Sequence, residues 1–345
     1  MPSILVVGGG FAGIAAAQHL LKSKKVTVHL VDRKDYFEVT PAQLRALVSP
    51  ETVGASSRIP YADILGAAFV HAEVVELEAQ AAVLADGSRL SFDILILAPG
   101  TRYPRFSVAK PHDHLTKAQR WDHNQSEHSA FREAPGYLVI GGGLVGVELA
   151  AELAAYSVGK KVRLAHLGPR LVENLNPKAS ALALDHLTKL GVTVELNNGK
   201  AEGRDGELVY HTTSPVPSTA FLKEVRPAVL DAKGAIQVDA QLKVLGHPHW
   251  FAIGDANNFP DGKQAATAGV QGAYVAKAIL SGLDPKKPAP KPYSAQPTMA
   301  LAPLGKTLGF AQLPFGVVKW KFLVGIKRKD GLVSMFRKRL GAKAR

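Results

Sequence analysis

The chain alternates short, wholly apolar runs with longer stretches in which small and apolar residues recur at helical spacing. "SILVV" at 3–7 and "YLVI" at 137–140 are too short for helices and too apolar for half-exposed strands. Both predict buried parallel strands. Each leads through a glycine cluster into an alanine-rich stretch with helical character, "FAGIAAAQHL" and "LVGVELAAEL". A second strand follows each helix: "VTVHLVD" ends at Asp32, and "KKVRLAHLGPR" runs through His166. In "SRLSFDILILAPG" a hairpin feeds a buried strand that ends at Ala98, Pro99 and Gly100, and "HPHWFAIGD" is a short apolar strand ending in Gly254 and Asp255. "KQAATAGVQGAYVAKAIL" then reads as a helix rich in small residues, and the Pro/Lys-rich "DPKKPAPKPYSAQP" at 284–297 reads as a linker. Near the end, Leu332, Phe336 and Leu340 recur every four residues with Val333 beside them, while Arg337, Lys338 and Arg339 take other faces. Strand and helix alternating twice over predict an α/β chain.

The two glycine clusters carry the chemistry. Gly8, Gly10 and Gly13 repeat the G-x-G-x-x-G spacing of Gly141, Gly143 and Gly146, each between a strand and a helix. One glycine permits the tight turn, one lets backbone approach a pyrophosphate, and the third lets helix pack on strand. Nineteen residues after Gly13, Asp32 closes its strand, where an acid accepts from ribose hydroxyls. The matching position in the second copy is His166, with Arg170 just beyond and no acid at the strand end to repel a 2′-phosphate. The first copy therefore suits FAD, and the second NADH or NADPH.

Composition narrows this further. With no cysteine among 345 residues, disulfides, iron–sulfur clusters and thiolate zinc sites are excluded, so redox chemistry falls to a bound cofactor. The "HDH" at 112–114 and "HPH" at 247–249 match no zinc spacing, and no metal is expected. The most apolar stretch, 137–155, contains Glu148 and Glu152 and begins in glycines, so no membrane span is expected. The first strand leaves no room for a signal peptide, and Pro2 excludes N-myristoylation, so a cytoplasmic protein is expected. Much of the formal charge of +13 lies in residues 315–345, where ten Lys/Arg face the one acid, Asp330. With Trp320 and Phe322 among the lysines and the Leu332/Phe336/Leu340 stripe, this predicts a helix lying on anionic lipid.

Taken together, "VVGGGFAGIAAA", "VDRKDYFEVTPAQLRALV", "FDILILAPG", "VIGGGLVGVELAAEL", "VDAQLKVLGHPHWFAIGD" and "IKRKDGLVS" span the whole chain. In them it resembles two-dinucleotide-binding-domain flavoproteins of the type II NADH dehydrogenase and apoptosis-inducing-factor-like group, most of all its ferroptosis-suppressor NAD(P)H:quinone oxidoreductases. The resemblance implies two Rossmann-like domains, one inserted in the other, plus a small C-terminal α+β domain. Residues 1–109 and 236–284 would bind FAD, 110–235 NAD(P)H, and 285–345 would form the C-terminal domain with its basic tail. Residue by residue it implies FAD contacts at Gly8, Gly10, Phe11, Ala12, Gly13, Asp32, Arg33, Arg45, Ala98, Gly100 and Asp255, with backbone at Val75 or its neighbour Val74. For NAD(P)H it implies Gly141, Gly143, Leu144, Gly146 and the His166/Arg170 edge, with Glu148 near the nicotinamide. Lys327 matches the family lysine near the flavin, where a cation stabilises the reduced ring.

The implied reaction passes a hydride from NAD(P)H to flavin and on to a quinone at a membrane surface. A ferredoxin-type reductase is the alternative enzyme. A flavin-stabilised nucleic-acid-binding protein is the alternative outside enzymes, though nucleic acid is the less expected partner for the tail. The chain departs from the family pattern at "APG", where Thr usually precedes Gly, at Ser214, where glycine is usual, and in a short stretch at 197–210.

Overall fold

The computed structural model describes residues 1–213, 215–223, 226–284, 286, 288, 290–319 and 321–342. Ser214, Trp320, Lys343 and Arg345 lie outside the described residues, as does the side chain of Lys321. The chain divides into two compact units, each assembled from three segments.

The first unit comprises residues 1–37, 60–102 and 215–296. Its centre is a parallel sheet in the order Trp250–Ala252, Ile94–Leu97, Ser3–Val7, Thr27–Asp32, Phe69–His71. The runs read as buried strands fill it: Ile4, Leu5, Val6, Leu95, Ile96 and Leu97 are all at most 1% exposed. Strand Ser3–Val7 lies between Thr27–Asp32 and Ile94–Leu97, which places the first glycine turn at the carboxyl end of the sheet, where its strand order changes direction. The hairpin before Ile94 is present as Ala81–Leu84 paired with Arg89–Ser91. Helix Phe11–Leu20 packs closely on helix Ala265–Gly282 through small residues: a Cβ on Gly272 would fall 2.3 Å from the Ala12 carbonyl oxygen.

The second unit comprises residues 38–59, 103–214 and 297–345. Its parallel sheet runs Thr193–Glu195, Lys161–Ala165, Gly136–Ile140, Leu208–His211, with the second glycine turn leaving an inner strand as the first one does. An antiparallel sheet of Ala300–Leu304, Leu308–Leu313 and Gly316–Val318 shares its core, since Ala302, Leu304 and Phe310 are buried with Val147, Leu153 and Leu187.

These segments differ from the expected domain boundaries. Residues 38–59 fold with the second unit because a buried polar knot holds them there. Arg120 donates to Glu38 at 2.7 Å, to Gln43 at 3.1 Å and to the Val108 carbonyl at 2.7 Å. Arg58, wholly buried, donates to Gln43 and Asn124. Charges withdrawn from water need such partners. Residues 215–235 go with the first unit. Residues 297–342 form no separate domain but complete the second core.

The tail stripe also faces otherwise than expected. Val333, Phe336 and Leu340 of helix Val333–Leu340 are 3%, 7% and 6% exposed, so they are packed in protein rather than presented to lipid. Gly331, at φ 61° just before this helix, sits where a Cβ would lie 2.4 Å from the Cα of Ala42, which fixes the turn against its own unit. Among the described residues after 313, the large apolar side chains left in water are Phe315, Phe322, Ile326 and Met335. Among the described residues no helix is long and apolar enough to cross a membrane.

Candidate functional site

In the first unit the turn is held from both sides. Gly8, at φ 100°, donates to the Val31 carbonyl, and a Cβ there would lie 2.3 Å from the Ala98 carbonyl oxygen. A Cβ on Gly13 would meet the Gly8 oxygen at 1.9 Å, so the helix rests directly on the turn. Gly10, which caps helix Phe11–Leu20, has nothing within 4 Å of its Cβ position, and neither has Gly100. The turn is thus closed by its own backbone and open on the side where the helix presents its N–H groups, as an anion site requires. The Asp32 carboxylate accepts from Gly9 N–H at 2.6 Å and Lys34 N–H at 2.8 Å, while burial raises its pKa. Each oxygen retains a lone pair for a ribose hydroxyl. Asp255 accepts from the Thr101 hydroxyl at 3.3 Å, next to Gly254, whose Cβ position is 2.9 Å from the Ala12 methyl. Phe11, Ala12, Ala98 and Asp255 are therefore brought to this turn.

Other expected residues are placed differently. Val75 is 45% exposed and Val74 buried on strand Val74–Leu77, and Arg33 donates to Glu73 at 3.2 Å. Arg45, expected among the flavin contacts, belongs to the second unit. There its guanidinium is bidentate on Glu152, at 2.6 and 2.8 Å. The reading of the sequence missed Tyr61, whose hydroxyl oxygen lies 2.4 Å from the Cβ position of Gly9. It also missed Gln271, which accepts from Gly254 N–H at 2.8 Å and binds buried Asn257. Neither sits in a recognisable spacing.

The second turn repeats the first. Gly141 has φ 119°, the Cβ position of Gly146 is 1.8 Å from the Gly141 oxygen, and that of Gly143, ahead of Leu144, is open. The Thr212 hydroxyl, unforeseen, donates to the carbonyls of Ile140 and Gly141. His166 takes the place Asp32 has in the first unit: its Nδ1 accepts from Gly142 N–H at 3.1 Å. Two expectations change here. An acid does stand at this edge, since Glu173 Oε1 is 3.9 Å from His166 Nε2. Arg170 is turned onto its own loop, donating to the carbonyls of Glu173 and Leu175.

The two expected catalytic residues meet each other. Lys327 Nζ donates to Glu148 Oε1 at 2.7 Å, to Oε2 at 2.8 Å and to the Leu301 carbonyl at 3.1 Å. Burial raises the pKa of Glu148 against the pull of Lys327, and Glu152, one helical turn on, adds to the rise. Arg45, Glu148, Glu152, Lys327 and Arg328 line a small cavity of about 20 Å³, room for about one water. Among the described residues no group of three His, Asp or Glu is arranged to hold a metal ion.

Comparison with known proteins agrees with this architecture. The sequence model of the family described as "Pyridine nucleotide-disulphide oxidoreductase" matches residues 2–273. Human "Ferroptosis suppressor protein 1" is 30% identical over 309 residues, covering 81% of this chain and 80% of that protein. Among solved structures, NDH2 from Plasmodium falciparum in complex with NADH superposes with a TM-score of 0.76 at 14% identity, covering 99% of both chains. The sulfide:quinone oxidoreductase of Aquifex aeolicus gives 0.79 at 16% identity, over 99% of this chain and 91% of that one.

Proposed function

The chain belongs to the pyridine nucleotide-disulphide oxidoreductase family, and from that premise we propose that it is an FAD-dependent NAD(P)H:quinone oxidoreductase working at a membrane surface. Its cofactors are FAD and NADH or NADPH. The observation that carries the reading is the repeated turn: two glycine loops of one design, each closed by its own backbone and open at the glycine that caps the following helix. With no cysteine, the chain has no thiol of its own for the disulphide chemistry in the family's name, so its electrons leave to another acceptor. The name of one structural neighbour, a sulfide:quinone oxidoreductase, points to quinone.

FAD, when bound, supplies the two-electron carrier between a reduced nicotinamide and a quinone. Gly8, Gly10, Phe11, Ala12, Gly13, Asp32, Ala98, Gly100 and Asp255 would hold it. Gly141, Gly143, Leu144 and Gly146 hold the nicotinamide nucleotide. Quinone reduction takes up protons, and Lys327 Nζ holds one against the buried Glu148 carboxylate, beside a cavity fit for water. The membrane contact falls to Phe322, Ile326 and Met335 with exposed Lys329, Lys338 and Arg339, in place of the buried stripe.

The purified protein should be yellow, carry FAD without a covalent link, and oxidise NADH or NADPH when a soluble quinone is supplied. Lys327→Ala should slow quinone-dependent turnover by about tenfold or more, the scale of a lost acid–base group, with flavin content unchanged. A colourless preparation that takes up no FAD would end this reading. Turnover with a ferredoxin but not with quinone would transfer it to the reductase alternative.

A further inference from the structure

Residues 290–296, in the stretch read from the sequence as a linker, are fastened down inside the first unit. Tyr293 is buried with its ring edge-on to Phe259 and Tyr274, at 5.1 and 5.2 Å between centroids, and its N–H donates to the Ala240 carbonyl. Its hydroxyl donates to Asp261 Oδ2 at 2.6 Å. Burial and that carboxylate raise the pKa of the phenol, which therefore stays a donor. Gln296 N–H donates to the other oxygen, Asp261 Oδ1, at 3.0 Å. Asp261 also accepts, at 3.2 Å, from Nε2 of Gln271 in helix Ala265–Gly282.

From Gln271 the path runs on to the turn that carries Asp255. Gln271 Oε1 accepts from Gly254 N–H at 2.8 Å and from Asn257 Nδ2 at 2.9 Å, and both side chains are buried. Two backbone N–H groups, which cannot reverse, set the sense of both amides. Phe259 N–H takes the oxygen of Asn257, and Gly254 N–H takes that of Gln271. The Gln271 NH2 is left facing Asp261, which as a carboxylate can only accept. A reversed amide would set its NH2 against Gly254 N–H and the Asn257 NH2, donor against donor in a buried site. Gly254, at φ 75°, leads directly into Asp255, whose carboxylate accepts from the Thr101 hydroxyl.

Resting on the reading that the first unit binds FAD with Asp255 among its holders, we propose that Asp261 and Gln271 are positioning residues for that cofactor. The charge of Asp261 fixes the polarity of the Gln271 amide, and the amide holds the Gly254 turn so that Asp255 stays in place for a hydroxyl of bound FAD. Neither residue touches the cofactor in this scheme. The effect travels through one buried side chain to one backbone N–H. Tyr293 and Gln296 hold Asp261 from the other side, so the stretch that reads as a linker serves the cofactor site. Because the carboxylate sets the polarity, the Tyr293 ring and hydroxyl contribute packing and one of several donors.

The test is the rate at which FAD leaves the loaded full chain on dilution, read from flavin fluorescence and so independent of turnover. Asp261→Asn should release FAD about tenfold faster than wild type, the scale of one mispaired buried group. Its NH2 has to avoid the N–H groups of Gly262 and Gln296 and so turns toward Gln271, whose amide then reverses. Adding Gln271→Glu should bring release back to within about threefold of wild type. The new carboxylate accepts from Gly254 and Asn257 on one oxygen and from the new amide on the other. Gln271→Glu alone sets two carboxylates against each other and should release FAD about as fast as Asp261→Asn. A purely structural loss would not be repaired by a second change of the same shape. Release by Asp261→Asn within about twofold of wild type, or a double variant no slower than the single, overturns the proposal. If Asp261→Asn alone yields no folded protein, the double variant is read against wild type by the same limit of about threefold. A wild-type chain that takes up no FAD overturns the flavin reading beneath it instead.

Discussion

Glu148 and Glu152 stand one turn apart on an otherwise apolar helix, and each is matched by a cation from a distant part of the chain. Lys327 is 179 positions from Glu148, and Arg45 is 107 from Glu152. Removing one partner of a buried pair strands the other charge, typically at about 3–5 kcal/mol. Arg45→Ala should therefore lower unfolding stability by roughly 3 kcal/mol, measurable by denaturant titration. His123 offers a second check. Burial, aided by His114 and Arg120 and opposed by a hydrogen bond with the Ser107 backbone and by Glu38, lowers its pKa to about 4. The folded chain keeps this ring neutral while the unfolded chain, at its ordinary 6.5, takes up the proton. Its contribution is complete above pH 6.5 and is lost as pH falls toward about 4. His123→Gln should flatten the pH dependence of stability across that window. If mutant and wild type lose stability in parallel, this assignment is wrong. At this scale the glycines were legible and the ion pairs were not. A turn that tolerates no Cβ leaves its mark at fixed spacing, whereas Lys327 among ten basic residues carries no sign of which carboxylate it meets.

The elements were legible where their pattern involves only near neighbours in sequence. Strands Ser3–Val7 and Gly136–Ile140 and the helices that follow them were foreseen because an apolar run, a glycine turn and a helical repeat are all local. The last helix shows the limit. Its period gave the apolar side correctly, but amphipathicity states that a face avoids water, not whether protein or lipid covers it. The burial of Val333, Phe336 and Leu340 answers that: protein covers this face. Opposite outcomes follow for neighbouring residues. Phe336→Ser should destabilise the fold by about 3 kcal/mol or more, as large-to-small core changes do. Phe322→Ser with Ile326→Ser should leave the melting temperature unchanged and reduce sedimentation with anionic vesicles. Should Phe336→Ser abolish vesicle binding without loss of stability, the packed assignment of this helix fails.

For the whole molecule, domain order was the least legible property. Short sequence signals mark where elements begin, but membership of residues 38–59 in the second unit depends on Glu38 and Gln43 reaching Arg120. The consequence reaches back to synthesis. The first unit has all its segments once residue 296 has emerged, while the second still lacks the antiparallel sheet and the lysine that answers Glu148. At roughly 5–20 residues per second, the helix Leu144–Tyr156 waits on the order of ten seconds for that segment to leave the ribosome. Arg45, the partner of Glu152, has already emerged, so through this interval Glu148 alone has only water to answer it, and its charge opposes association of an otherwise apolar helix with neighbouring nascent chains. The carboxylate that makes the finished cavity polar thus serves, earlier, against aggregation.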